Sequence, residues 1–224
     1  MVFREKPPYS YTENGVQKGF LLERTRQIVN KSGLKVAFEV VPAKRIFAEI
    51  EANAEAICSF GWYKNPERER YARFTIPILT DRPHIVLANT ASAESVRRHK
   101  TLKGLFADSR RSLSVVDGTS YGVELDAMIT NSKVLVDKAL VSPIQVAQKV
   151  AAQRTDFMLM DQDDYEYLLS TDPSFKKAKL VKIEFSDMPP GLKRYILCSQ
   201  MVDEDVIKRL NTAITTVGIG KLKK

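Results

Sequence analysis

Residues 55–78 run EAICSFGWYKNPERERYARFTIPI. The apolar run at 54–60 predicts a buried strand, and the charged stretch at 61–70 predicts a loop after it. Gly61, Trp62 and Tyr63, followed by Lys64-Asn65-Pro66-Glu67-Arg68, therefore fall where a strand has just ended. A guanidinium at the mouth of a strand can hold a carboxylate by two parallel hydrogen bonds, which makes Arg68 a ligand-binding candidate. The competing reading pairs Arg68 with Glu67 or Glu69 on a solvated loop, and charge alone favours that.

Outward from this stretch, strands and helices alternate. Upstream, Lys6-Pro7-Pro8-Tyr9 breaks a first strand and Glu13-Asn14-Gly15 reads as a turn. A helix is predicted over 19–31 from the spacing of Phe20, Leu21, Thr25, Ile28 and Val29, with Ser32-Gly33 as its stop. Residues 36–41 read as a strand, and Pro42 opens a short helix with Ile46, Phe47 and Ile50 on one face. Downstream, a strand is predicted at 84–89. A small, polar, basic stretch at 91–103 then leads into a second lobe. There the pattern restarts: strand 113–116, turn 117–120, helix 121–130, strand 134–141, and a helix capped by Ser142-Pro143 that runs to 153. Strands at 157–160, 180–185 and 195–199 follow. A last helix at 203–216 has Val206, Ile207, Leu210 and Ile214 as its buried stripe. Two rounds of alternation predict two α/β lobes, and ligands of such lobes are expected outside the strand carboxyl ends, in the cleft between them.

Composition narrows the function. The chain has 224 residues, 44% hydrophobic and 28% charged, enough to build a core. No apolar run approaches the roughly 18 residues of a membrane span. His84 and His99, the two histidines, show no metal-ligand spacing, so neither a metal nor a cofactor is expected. The net charge of +8 comes from scattered lysines and arginines. The densest knots, at Arg97-Arg98-His99-Lys100 and Lys221, Lys223 and Lys224, carry no interleaved aromatics, which argues against nucleic acid. Met1-Val2-Phe3-Arg4-Glu5-Lys6 lacks the apolar centre of a signal peptide.

Further candidates lie at strand ends. Gly118 allows close backbone approach, and the Thr119 and Ser120 hydroxyls with the amides of a helix start would make an anion site; an ordinary N-cap is the alternative. Asp161, ending the strand at 157–160, can bind an ammonium group or cap a helix. Tyr9, Tyr11, Trp62 and Tyr63 read as loop aromatics able to stack on a ligand, with at least one expected to be hydrophobic cover. Cys58 and Cys198 are read as small buried thiols in preference to a disulfide.

Arg68, an anion site and Asp161 together describe a receptor for an amino acid. The ordered segments PPYSYTENGVQKGFLLE (7–23), residues 55–78, SLSVVDGTSYG (112–122), RTDFMLMDQDDYEYLL (154–169) and RYILCSQMVDEDVIKRLNTAI (194–214) carry a resemblance over nearly the whole chain. They resemble the polar-amino-acid family of periplasmic solute-binding proteins of ABC transporters, most diagnostically at Asn65-Pro66-Glu67-Arg68 and Phe74-Thr75. The resemblance implies an α/β clamshell of the type II periplasmic-binding fold, with two strands crossing between lobes, expected at 84–89 and 194–199. One lobe is expected at 1–88 plus 196–224 and the other at 89–195. It further implies that Arg68 holds the ligand carboxylate and that Gly118, Thr119 and Ser120 supply a second carboxylate contact. Asp161 takes the α-ammonium in this scheme, with Gly61 and Tyr63 also contacting it.

The sequence departs from the family in places. Lys6 and Ala43 stand where relatives carry aromatics, so Tyr9, Tyr11 or Trp62 must supply any stacking surface. Gly61 and Tyr63 replace hydroxyl residues. Arg45 adds a cation that either favours a second carboxylate or lies on the helix surface. The leading expectation is a monomeric receptor outside the cytoplasm, any leader being absent from this chain, that delivers a small-molecule ligand to a membrane ABC permease. Competing expectations are the input domain of a membrane signalling protein and a periplasmic dehydratase-like enzyme, the latter without a supporting His, Cys or Ser constellation.

Overall fold

The computed structural model describes residues 1–140 and 142–221. It divides into two compact units, Met1–Asp81 with Leu192–Lys224, and Arg82–Gly191. The first begins with β1 (Val2–Phe3), the hairpin β2 (Tyr11–Glu13) and β3 (Val16–Lys18), and α1 (Phe20–Ser32). It continues through β4 (Glu39–Val40), α2 (Ala43–Ala52), β5 (Cys58–Tyr63), α3 (Pro66–Glu69), β6 (Ala72–Phe74) and β7 (Leu79–Thr80). The second holds β8 (Ile85–Ala88), α4 (Ala93–Arg97), α5 (Leu102–Phe106), β9 (Ser112–Val116), α6 (Val123–Thr130) and β10 (Leu135–Ala139). It ends with α7 (Pro143–Ala151), β11 (Phe157–Met160), α8 (Gln162–Thr171), α9 (Pro173–Lys177) and β12 (Val181–Ile183). The chain then returns to the first unit as β13 (Lys193–Ser199), α10 (Glu204–Val217) and β14 (Gly220–Lys221).

The first sheet has the order β14-β7-β13-β5-β1-β4, with β6 also on β13. Helices α1 and α10 cover one face, burying Leu21, Leu22, Ile28, Leu210 and Ile214 with Phe3, Phe60 and Ile196. Helix α2 covers the other, where Ile46 and Ile50 meet Trp62 and Leu197. Gly33, in the left-handed conformation at φ 68°, ends α1 as the sequence predicts.

In the second unit the order is β10-β9-β11-β8-β12, and β8 and β11 are apolar throughout because both faces are covered. Val86, Ala88, Phe157 and Leu159 face Leu105, Phe106 and Leu125. Their neighbours Ile85, Leu87, Met158 and Met160 face Val146, Val150 and Phe175. The alternation is the period of two that strand geometry demands. The predicted cap of α7 forms as a reciprocal capping box between Ser142 and Gln145, with Pro143 at the first turn.

Several expectations need correction. The strand predicted at 54–60 lies at Cys58–Tyr63, so Gly61, Trp62 and Tyr63 are strand residues and not loop residues. The cause is a bulge: Tyr195 pairs with Trp62 and Ile196 with Phe60, which leaves Gly61 as the extra residue, at φ +85°. One extra residue reverses the alternation, and Phe60 and Trp62 point to opposite faces although two apart. Of the strand predicted at 36–41, only Glu39–Val40 pairs. The helix predicted from Tyr121 begins at Val123. Of the strand predicted at 134–141, Leu135–Ala139 forms; Val141 lies outside the described residues, as do Lys223 and Lys224 of the terminal basic knot.

Cys58 and Cys198 form a disulfide, which replaces the free-thiol reading. They are direct partners across β5 and β13, a proximity that 140 residues of sequence separation conceal. The unit bounds at 81/82 and 191/192 differ from the expected 88/89 and 195/196. Strand β8 pairs along its length with β11 and β12, whereas β13 pairs along its length with β5, β6 and β7.

Candidate functional site

Asn65 and Pro66 have a local task in placing Arg68. The Asn65 side chain accepts from the Arg68 backbone N–H at 2.8 Å, and Pro66 occupies the first helical position, where its missing N–H costs nothing. The short helix α3 turns the Arg68 side chain back along β5, where Nη1 donates to the Tyr63 carbonyl at 2.8 Å. Its guanidinium lies 4.4 Å from the Phe47 ring centroid and 5.7 Å from that of Trp62. Burial pulls its pKa below the ordinary arginine value, opposed by Tyr71 and Glu67. Among the described residues Arg68 forms no ion pair, so the expected pairing with Glu67 or Glu69 is not made.

Of the four aromatics only Tyr9 lies in a turn; Tyr11, Trp62 and Tyr63 are strand residues. Tyr9 is buried in the first core, its ring tilted at 49° to that of Phe20 with centroids 4.8 Å apart. Trp62 is buried too, with its indole N–H donating to Ser59 at 2.7 Å and the Arg4 guanidinium 4.3 Å from its ring. Tyr11 lies in β2 opposite Lys18 and is half-buried. Arg45 lies on the surface of α2, paired with Glu49 at 2.6 Å one turn on.

Arg194, which the sequence did not mark, dominates the interior here at 1% exposed. Its Nε donates to Asp81 Oδ1 at 2.8 Å, Nη1 to the Gly61 carbonyl at 3.1 Å, and Nη2 to the Tyr63 hydroxyl at 2.8 Å. The same hydroxyl donates to Asp81 Oδ2 at 2.8 Å. The rings of Tyr9 and Tyr63 lie 4.3 and 4.5 Å from the guanidinium. Sequence offered one weak signal, an arginine directly before the mainly apolar run YILC of β13.

In the second unit Gly118 has φ +72° and open space around it, and Thr119 and Ser120 are exposed. Helix α6 starts beyond them at Val123 with Gly122 as its N-cap, so neither hydroxyl caps it. Ser120 instead donates to Asp126 at 2.6 Å and accepts from the Gly122 N–H at 3.2 Å. Asp161 holds the N-cap position of α8 without a side-chain capping bond, against the plain-cap reading. Its Oδ1 is 3.3 Å from His84 Nε2, and both side chains are largely buried.

The sequence profile of the bacterial extracellular solute-binding proteins, family 3, matches residues 1–217. No curated protein matches the chain. Among solved structures, the arginine-, lysine-, histidine-binding protein ArtJ of Geobacillus stearothermophilus is similar, with a TM-score of 0.70 at 14% identity, covering 96% of this chain and 87% of that one. The ancestral amino acid-binding protein AncCDT-1, a precursor of cyclohexadienyl dehydratase, gives 0.68 at 16% identity, with 96% and 87% covered. The B. pertussis BvgS periplasmic domain gives 0.70 at 14% identity, with 97% of this chain and 40% of that one covered. The shared architecture is the type II periplasmic-binding fold that the resemblance implied.

Proposed function

Because the chain belongs to the bacterial extracellular solute-binding proteins, family 3, we propose that it captures an amino acid or related small carboxylate and delivers it to a membrane ABC permease. One observation carries the reading: Arg68 is fixed by a helix cap, a carbonyl and two aromatic rings, yet forms no ion pair among the described residues. A guanidinium so held is poised for a carboxylate. Gly118, Thr119 and Ser120 would add the second carboxylate contact and Asp161 would lie toward the opposite pole. A ligand touching both units can shift a population between two conformations, which is how such a receptor would signal occupancy.

The Cys58–Cys198 disulfide supports a location outside the cytoplasm, where such bonds persist. Among the described residues no helix is long and apolar enough to cross a membrane. Arg68→Ala should lower ligand affinity at least tenfold, with the unliganded melting temperature little changed, by calorimetry against the common amino acids and small carboxylates. Unchanged affinity would refute the role of Arg68. We read the protein as a monomer without catalysis; turnover of prephenate or arogenate would reverse the second half of that statement.

The input-domain reading keeps one observation in its favour: the chain covers only 40% of the BvgS periplasmic domain, so this fold also serves as a part of larger chains. A membrane helix and signalling module encoded downstream would select it.

A further inference from the structure

We infer that the ligand is an anion without a free ammonium group, a small dicarboxylate or other des-amino acid; this rests on the receptor reading above. The groups assigned to an ammonium by the resemblance are Gly61, Tyr63 and Asp161. In the first unit the Gly61 carbonyl and the Tyr63 hydroxyl each accept a hydrogen bond from Arg194, at 3.1 and 2.8 Å. The hydroxyl donates its one proton to Asp81, whose other carboxylate oxygen accepts from Arg194 Nε. The chain's own guanidinium therefore fills the place of a ligand cation. It is 1% exposed and lies 4.3 and 4.5 Å from the Tyr9 and Tyr63 ring centroids. A ligand ammonium brought to these groups meets positive charge where it needs acceptors.

In the second unit the acceptor is placed beside an imidazole. Asp161 has His84 Nε2 at 3.3 Å, and the two side chains are 14% and 9% exposed. The guanidinia of Arg68 and Arg4 both lie within 6 Å of the Trp62 ring, at 5.7 and 4.3 Å, and add positive charge there. Acceptors engaged by the chain's own guanidinium, beside two further guanidinia at one ring, select for negative charge and against a zwitterion.

Matched pairs titrated calorimetrically into the unsubstituted chain test this: glutarate with glutamate, succinate with aspartate, and 5-guanidinopentanoate with arginine. A des-amino member should bind, and its amino acid at least ten times more weakly. An amino acid that binds as tightly as its des-amino partner, or more tightly, overturns the inference and leaves the receptor reading standing. Silence from all six compounds overturns the inference, and silence from the full panel of common amino acids and small carboxylates overturns the receptor reading as well.

Discussion

A guanidinium inside a protein core is tolerated only while its charge is matched and its donors are satisfied, and Arg194 meets both conditions through Asp81, Gly61 and Tyr63. Removing it strands the Asp81 carboxylate, whose side chain is 3% exposed. Arg194→Met should therefore destabilise the chain by about 3–5 kcal/mol, the usual cost of leaving one buried charge unpaired. Denaturant unfolding checks this, and an Asp81→Leu/Arg194→Met double variant should recover part of the loss. This network also explains what the sequence concealed at the candidate site. Arg68 was legible because Asn65-Pro66 is a local cap signal that positions it three residues on. Arg194 was not, because its three partners lie at least 113 residues away in sequence. An arginine read without its neighbours looks like any charge on a strand.

At the scale of the element, the five helices the sequence predicts all form, but α3, α4, α5, α8 and α9 escape it, and strand limits shift. The left-handed stop at Gly33, the cap at Ser142 and the apolar stripe of α10 depend on residues within a few positions of one another. Strand limits depend on the partner strand, so β5 was placed too early and β4 too long. The bulge at Gly61 sets which face each residue of β5 presents, and it draws on two properties of glycine. The backbone there has φ +85°, and a Cβ would stand 3.0 Å from Leu21 Cδ2. Gly61→Ala should destabilise by about 1–3 kcal/mol, from backbone strain with a contact that Leu21 can partly relieve. Its effect should extend to the site: the Gly61 carbonyl accepts from Arg194, and Tyr63 follows two residues later. Chemical denaturation measures the first effect. A change in tyrosine near-ultraviolet dichroism measures the second, and a native spectrum with native stability would show the bulge to be indifferent to the side chain.

For the whole molecule, the consequential feature is that one unit is inserted into the other. The second unit, Arg82–Gly191, leaves and re-enters the first between β7 and β13. Cys58 and Cys198 both belong to the first unit, and the bond between them encloses the entire second unit in one covalent loop. The entropic benefit of such a bond falls on the unfolded first unit, whose two segments would otherwise separate by the length of the insertion. A loop of this size corresponds to about 5 kcal/mol in the chain-entropy model. The second unit gains nothing from it, since its core is built from residues between 82 and 191 alone. Oxidised protein should weigh about 2 Da less than reduced protein, as two thiol hydrogens are lost on bonding. A Cys58→Ser/Cys198→Ser variant should then lose hydrogen-exchange protection in β5, β13 and α10 while β8, β9 and β11 keep theirs. Equal loss in both groups of strands would mean that the units unfold as one cooperative body. The inserted unit would in that case depend on the first for its stability, and the bond would act on the molecule as a whole.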